Sequence, residues 1–243
     1  MAAEGTNTAA ASAPSKRDAI VDALMKLAAD RPWNDIEIAD VAREANVTLA
    51  EFRELFPSKG AVLGAFSKRI DREVLQGTTE DLADEPARER LFDVMMRRID
   101  ALTPYKSALR RIAWALRQDP VSLAALNQVE LNSQRFMLAA AGISTEGPLG
   151  YLKVQGAVFI LMNTLDTWFD DDDPSLARTM ARLDREIRRG ERVIERADDF
   201  RRLTAPIRAL GQALLDRRNR ARRRSARRER PTDGETNDPA AAI

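Results

Sequence analysis

The sequence predicts an all-helical protein, in which a three-helix N-terminal domain precedes a larger helical domain. Of its 243 residues, 44% are apolar and only 5% are aromatic. Glycine is scarce, and long stretches lack proline. Apolar side chains recur every three or four positions, as they do along one face of a helix. The prolines and glycines that are present fall where such helices should end.

The composition also limits the chemistry that this chain can perform. It contains no cysteine and no histidine, which excludes disulfides, thiolate nucleophiles, imidazole bases and zinc-finger sites. No paired carboxylates stand in a recognisable pocket pattern, so we expect neither catalysis nor a cofactor. The acidic run from Asp170 to Asp173 would suit a hard cation. As a cap in front of a helix it needs no ion, and we therefore expect no metal.

Five segments are predicted along the chain. Residues 1–16, rich in Ala, Ser and Thr, predict a disordered lead-in. Residues 17–76 and 86–198 predict the two helical domains, residues 199–230 a basic amphipathic helix, and residues 231–243 a disordered tail. The N-terminus lacks the apolar core of a signal peptide, and no apolar stretch is long enough to span a membrane. We therefore expect a cytoplasmic protein.

The most specific pattern lies in residues 38–63, which predict two short helices joined by a tight turn. Asn46 tolerates the left-handed conformation that ends the first helix. Thr48 and Glu51 form a capping box that starts the second helix, and Ser58 can cap the helix that follows. The apolar positions on the buried sides are Ile38, Val41, Ala42, Ala45, Phe52, Leu55 and Phe56. A helix-turn-helix of this kind places its second helix in the major groove of DNA.

The order of these residues resembles the N-terminal domain of the TetR-type transcriptional regulators. The helix at about residues 18–30 and the following Pro32-Trp33 stand where that family has its first helix and turn. The resemblance implies a TetR-like fold, double-stranded operator DNA as a partner, and a second domain that dimerises and binds an effector. The segments that carry it are Asp40-Val41-Ala42, Ala45-Asn46-Val47-Thr48, Phe56-Pro57-Ser58-Lys59 and Leu63.

The charge of the predicted DNA-contacting helix leaves two interpretations open. Residues 17–75 carry nine basic and eleven acidic side chains, whereas DNA-binding domains usually present a positive face. Two carboxylates on a helix that enters a polyanion are unfavourable, although a carboxylate can accept a hydrogen bond from cytosine N4. The helix either contacts DNA or belongs to a folded subdomain that does not. The predicted DNA contacts are Thr48, Leu49, Ala50, Glu51, Arg53, Glu54 and Lys59.

The second domain is predicted to contain longer helices, at about residues 86–101, 105–118, 121–140 and 148–169, followed by one that starts at Asp173-Pro174. The helix at 148–169 is apolar on nearly all sides and must be covered. The helix after it carries an apolar stripe at the coiled-coil period. This pair predicts half of a four-helix homodimer interface, which the TetR resemblance also implies. The predicted interface residues are Val158, Leu161, Leu165, Met180, Leu183, Ile187 and Ile194.

Apolar and methionine side chains in the same domain predict a cavity for a small apolar or amphipathic effector. Gln155 and Asn163 are the predicted polar contacts, although ordinary core packing would account equally well for any single apolar position. A DNA-binding chain that is controlled by such an effector would be a transcriptional regulator, and we expect it to be a repressor. The predicted lining residues are Met95, Ile99, Trp114, Phe136, Gln155, Met162, Asn163 and Trp168.

A weaker resemblance suggests a different function. The segment at residues 102–105, the segment at 140–145 with Tyr151, and Asn163-Thr164-Leu165 are similar to the Coq ubiquinone-biosynthesis accessory proteins. These have the TetR-type fold, bind lipids and do not act on DNA. The alternative implied is a lipid-binding protein whose C-terminal helix contacts a membrane.

The arginine-rich C-terminal segment does not decide between these functions. Residues 217–230 contain nine arginines and one glutamate. They could lie on anionic lipid, bind nucleic acid without sequence preference, or form a solvated helix extension. The residues predicted to act there are Ile207, Leu210, Leu214, Arg217, Arg218, Arg222, Arg223 and Arg224.

Overall fold

The computed structural model describes residues 15–77 and 84–197, and these contain helices and no strand, which confirms the all-α prediction. Short 3-10 helices, Trp33–Asp35 and Thr103–Tyr105, precede the second and sixth α-helices. The described helices as far as Ile194 belong to one compact unit. They are α1 (Lys16–Asp30), α2 (Ile38–Glu44), α3 (Leu49–Leu55), α4 (Lys59–Gln76), α5 (Ala87–Leu102), α6 (Lys106–Leu116), α7 (Pro120–Ala140) and α8 (Gly150–Phe169), and α9, whose described part covers 177–197.

Three of the five predicted segments fall wholly or almost wholly outside this description. They are the lead-in at residues 1–16, of which only the last two are described, and the two C-terminal segments 199–230 and 231–243. Among the described helices, none has the length and apolar character needed to cross a bilayer. The predicted tail residues Ile207, Leu210, Leu214, Arg217, Arg218, Arg222, Arg223 and Arg224 lie outside the described residues.

The turn between α2 and α3 is fixed by its backbone and by caps. Asn46 has φ 53°, and the amide of Val47 donates to the carbonyl of Ala42 at 2.9 Å. The Thr48 hydroxyl accepts from the amide of Glu51, while the Glu51 carboxylate accepts from the amide of Thr48. The predicted helix-turn-helix and its capping box are therefore confirmed.

The inner side of α2 is covered by α1, and α3 packs against α2. Phe52 and Phe56 are both buried, and α1 packs against both α2 and α4. Ser58 caps α4 by accepting from the amide of Ala61 at 3.2 Å, as predicted. The buried residues that α1 contributes are Ile20, Val21, Ala23, Leu24, Met25 and Ala28.

We call α1, α2, α3 and the start of α4 the N-terminal head. From this head α4 continues into the rest of the unit, where it packs against α5 and α7. At this junction the core is polar. Arg98 of α5 is only 2% exposed; it donates to Asp71 of α4, to Glu130 of α7 at 3.3 Å and to Ser67 of α4 at 3.4 Å. Ser133 of α7 donates to Asp71 at 2.6 Å. We call these five residues the Arg98 cluster.

The Arg98 cluster constrains how three helices pack. Taking a charge out of water is costly unless it is paired and hydrogen-bonded, and burial accordingly raises the pKa of Glu130. Moving α4 away from α5 or α7 would separate Asp71 from Arg98 or from Ser133. The cluster therefore favours one position of α4 among its neighbours.

The start of α9 differs from its prediction. Asp173 and Pro174 do not begin the helix; they form a turn in which Asp173 accepts from the amide of Ser175 at 2.9 Å, and the helix begins at residue 177. The cap comes instead from Asp171, whose carboxylate accepts from the amide and hydroxyl of Thr179 at 2.9 and 2.6 Å. The sequence pattern of an acid followed by proline suits a turn as well as a helix start.

We expect Arg98→Ala to lower the free energy of unfolding by about 3 to 5 kcal/mol, because it leaves Asp71 and Glu130 buried without their cation. Arg88→Ala on the same helix removes only an exposed pair with Glu89 and should cost far less, because exposed ion pairs contribute little to stability. Urea unfolding followed by circular dichroism measures both. Equal losses for the two variants would show that the Arg98 cluster does not fix the junction.

Candidate nucleic-acid interface and ligand cavity

The outer face of α3 is the surface that a helix-turn-helix would present to DNA. Leu49 is 57% exposed, and Ala50, Arg53 and Glu54 are also exposed. Neither Arg53 nor Glu54 has an ion-pair or hydrogen-bond partner among the described residues. This face therefore offers one cation and one anion that are free to bind an external partner.

Glu51, the other carboxylate of α3, is engaged within the protein. It accepts from the amide of Thr48 at 2.7 Å and pairs with Lys16 at the start of α1. Hydrogen bonding from Lys16, and then from Thr48, lowers the pKa of Glu51 to about 2. The charge of Glu51 is therefore compensated by Lys16, so α3 does not present two unpaired carboxylates.

Other acidic side chains of the head are paired as well. Asp40 lies between Arg31 and Arg43, at 3.7 and 3.3 Å, and hydrogen bonding from the Glu37 amide, followed by these cations, lowers its pKa. Two further pairs are Asp22 with Arg69 at 2.6 Å and Glu44 with Lys26 at 2.5 Å. With Asp71 of the Arg98 cluster, five of the eleven acidic side chains of residues 17–75 are thus engaged in ion pairs within the protein.

Lys59, predicted to contact DNA, is turned inward. Its ammonium donates to the carbonyls of Trp33 and Ile36 at 2.8 and 2.5 Å and lies 4.4 Å from the centre of the Trp33 ring. Burial lowers the pKa of Lys59. The sequence places this lysine at the start of α4, but only the packing of α4 against the 3-10 turn shows that the side chain joins those two elements.

Two cations beside α3 were not predicted from the sequence. Lys16 pairs with Glu51, and Arg17 donates to the carbonyl of Leu55 at 3.3 Å and lies 4.4 Å from the Phe56 ring. They are more than 30 positions away from α3 in the chain, and only the packing of α1 on the helix-turn-helix brings them together. Lys16 was predicted to belong to the disordered lead-in, but it begins α1.

A partly open cavity of about 120 Å³ lies among α4, α5, α6, α7 and α8. Its walls are mainly apolar. Three members of the Arg98 cluster, Ser67, Arg98 and Glu130, reach it on the buried side, and the exposed ion pair Arg117–Asp166 also lines it. The apolar lining residues are Leu63, Phe66, Leu102, Leu109, Ile112, Ala113, Leu116, Leu123, Leu126, Leu161, Met162, Leu165 and Phe169.

Of the eight residues predicted to line a pocket, Met162 lines this cavity. Trp114 and Phe136 are 67% and 58% exposed, so they point to solvent. Gln155 donates to Asn127 at 3.2 Å, and Asn163 donates to Glu186 of α9 at 3.3 Å. Periodicity identifies apolar positions, but it does not show which of them face a cavity. The remaining three, Met95, Ile99 and Trp168, are buried in the core outside the lining.

The predicted interface residues are mostly used inside the single chain. Leu161 and Leu165 line the cavity, while Val158, Leu183 and Ile187 are buried in the core. Met180 and Ile194 are half-buried. The narrow apolar stripe on α9 therefore packs against α8 of the same chain and buries that side of α8.

A different apolar surface remains exposed on α8 and α9. Leu152, Gly156 and Phe159 follow one another along one side of α8, and Phe159 is 66% exposed. A side chain at Gly156 would meet open space. Tyr151 and Val193 are exposed as well. We call these five residues the α8–α9 patch.

Comparison with solved structures identifies the fold. The TetR transcriptional regulator from Nitrosomonas europaea superposes with a TM-score of 0.58 and 23% identity, over 72% of this chain and 97% of its own. A TetR transcriptional regulator from Rhodococcus sp. RHA1 gives 0.50 and 19%, over 72% and 94%. No protein-family model and no curated protein matches the sequence. The chain has the TetR fold.

The depressed pKa of Glu51 predicts a pH dependence. Its contribution to stability is complete above the ordinary glutamate pKa of 4.5 and is lost as the pH falls toward 2. Glu51→Gln should therefore melt below wild type near neutral pH, and the difference should shrink in that acidic window. Thermal unfolding followed by circular dichroism measures this. Glu54→Gln, which removes an exposed carboxylate of the same helix, is the control for the loss of one charge. A Glu51→Gln difference that is constant with pH would contradict the pairing.

Proposed function

We propose that this chain is a cytoplasmic, dimeric transcriptional repressor that inserts α3 into the major groove of operator DNA. The observation that carries the proposal is the exposed face of α3. Its helix is capped at the start by Thr48 and Glu51, and it displays Arg53 without an internal partner. Because Glu51 is paired with Lys16, the acidity of the helix is no obstacle to approaching a polyanion.

The side chains on this face fit distinct parts of a base-pair edge. An arginine such as Arg53 donates two hydrogen bonds to guanine O6 and N7, and a carboxylate such as Glu54 accepts from cytosine N4. Leu49 and Ala50 suit contacts with thymine methyl groups. Lys16 and Arg17, at the adjacent start of α1, are placed to contact phosphates, which would set the register of the helix on DNA.

Dimerisation would present two copies of α3 to one face of the duplex. The α8–α9 patch is the surface proposed for this contact, because exposed large apolar side chains are common at protein-protein interfaces. Gly156 would allow the partner's backbone to approach closely. A two-fold dimer reads a near-palindrome with half-sites about one helical turn, roughly 34 to 36 Å, apart.

An effector in the cavity would act through α4. This helix begins directly after the α3 turn, and it contributes Leu63, Phe66 and Ser67 to the lining. A ligand that binds the protein more tightly when α4 is in one position than in another would shift the equilibrium between two dimer geometries. These geometries would differ in the distance between the two copies of α3. The free energy of coupling between ligand and DNA binding equals that difference in binding free energy. Repression would be relieved if the distance favoured by the ligand does not fit the operator.

The lipid-binding alternative has less support. A cavity of about 120 Å³ is smaller than the roughly 300 to 1,000 Å³ of ordinary small-molecule pockets, and a long acyl or isoprenoid chain would need more room still. The proposed membrane contact depends on residues 199–230, which lie outside the described part of the chain.

Arg53→Ala should weaken binding to the selected operator by about 1 to 3 kcal/mol and relax the base preference at one position of each half-site. Fluorescence anisotropy with specific and scrambled duplexes measures both effects. Arg135→Ala, which removes an exposed arginine on α7 bonded only to Asn132, is the control and should bind as wild type does. Unchanged affinity and base preference in Arg53→Ala would refute the assignment of α3.

Phe159→Glu should convert the dimer to a monomer, because it would bury a carboxylate at the centre of the α8–α9 patch. Sedimentation velocity measures the change. Phe136→Glu on α7 alters a side chain of similar exposure (58% against 66%) outside the patch, and this control should remain dimeric. A dimeric Phe159→Glu protein would place the interface elsewhere.

A further inference from the structure

The chemistry of the cavity narrows the class of effector. On its buried side stand three charged groups of the Arg98 cluster: the guanidinium of Arg98 and the carboxyls of Asp71 and Glu130. Within the cluster, acidic groups thus outnumber the cation two to one, although Asp71 does not reach the lining. Of the cluster, Arg98, Glu130 and Ser67 do so, and the exposed pair Arg117–Asp166 also lines the cavity. On the buried side, a ligand would meet Arg98 and one of its two acidic partners.

Arg98 is poorly suited to receive an anionic ligand. It already donates to Asp71, to Glu130 and to Ser67. An incoming carboxylate or phosphate would have to displace one of these partners and would then lie next to two acidic groups. Repulsion between like charges is strong where water is excluded.

Glu130 is the less well satisfied of the two carboxyls. Asp71 has both Arg98 and the Ser133 hydroxyl, the latter at 2.6 Å. Glu130 has Arg98 at 3.3 Å, longer than the roughly 2.7 to 2.9 Å of a strong charge-assisted hydrogen bond. The raised pKa of Glu130, caused mainly by burial, agrees with a group that would gain from a second cation.

The remaining walls suit an apolar, aromatic-sized body. Leucines and the phenyl groups of Phe66 and Phe169 line the cavity, and aromatic rings attract cations as well as apolar groups. Its volume of about 120 Å³ is close to the ~150 Å³ of an apolar cavity that holds benzene. A compact ligand with one positive group therefore fits both the size and the charge.

We propose that the cavity binds a small hydrophobic amine in its protonated form, with the ammonium donating to Glu130 and the apolar body lying against the leucine and phenylalanine walls. This names the effector class for the proposed repressor and rests on that function for its regulatory consequence. Binding itself can be measured without DNA, which separates the two claims.

Isothermal titration of the full-length protein with benzylammonium, benzyl alcohol and benzoate tests the proposal, because the three probes share a ring and differ in charge. Benzylammonium should bind about ten- to a hundredfold more tightly than the other two, the range expected for a hydrogen bond to a charged group. Equal binding of the alcohol, tighter binding of benzoate, or no binding of benzylammonium would overturn it.

Glu130→Gln assigns the effect to one carboxyl. It should remove the preference for benzylammonium while leaving benzyl alcohol affinity within about twofold, which also reports an intact cavity. Glu146→Gln, an exposed change between α7 and α8, is the matched control and should keep the preference. If Asp166→Asn removes the preference and Glu130→Gln does not, the ammonium binds at the exposed side and the proposal is wrong.

A second readout avoids dependence on the stability of the variant. In wild-type protein, the carboxyl ¹³C resonance of Glu130 should shift on addition of benzylammonium and not of benzyl alcohol; no shift would refute the contact. Loss of operator binding on addition of benzylammonium would then link the site to regulation. Benzylammonium bound at Glu130 with operator affinity unchanged would leave the ligand assignment standing and count against the regulatory mechanism.

Discussion

The arrangement of this fold depends on the ion pairs and hydrogen bonds made by the buried guanidinium of Arg98. It binds α4, α5 and α7 together through Asp71, Glu130 and Ser67, at the place where the N-terminal head meets the rest of the unit. Apolar packing alone tolerates small sliding movements of helices, whereas separating a buried ion pair is costly. The same cluster reaches the cavity, so a ligand there would act on the contacts that hold α4 in place.

A second set of contacts pairs acidic with basic side chains in the N-terminal head. The pairs of Glu51 with Lys16, Glu44 with Lys26, and Asp22 with Arg69 hold helices to one another and compensate these three carboxylates within the protein. What remains free on α3 is a single arginine beside a single glutamate. A net charge counted from the sequence therefore describes this surface poorly, because it treats internal and external charges alike.

The sequence was sufficient to predict the elements whose cause is local. The left-handed Asn46, the Thr48–Glu51 capping box and the Ser58 cap depend on a few neighbouring residues. The inward turn of Lys59 and the pairing of Lys16 with Glu51 could not be predicted, since each joins residues that are distant in the chain.

The same limit applies to the helices that follow α4. The apolar face of α9 was recognised from its period, but period alone does not distinguish a stripe that covers α8 of its own chain from one that binds a partner. A cavity was predicted, but apart from Met162 its lining was not, since it comes from side chains of five helices that only the packing brings together. Its polar groups Arg98 and Glu130 were not among the predicted lining residues.

The most direct test of the central claim, that α3 reads DNA, is selection of genomic fragments by the full-length protein in the presence of excess heparin. The competitor removes binding that depends only on phosphate charge, including any through the C-terminal arginines. The account predicts enrichment of a short near-palindrome with half-sites one helical turn apart. A folded dimer that enriches no common sequence would contradict it and would leave the helix-turn-helix a structural element alone.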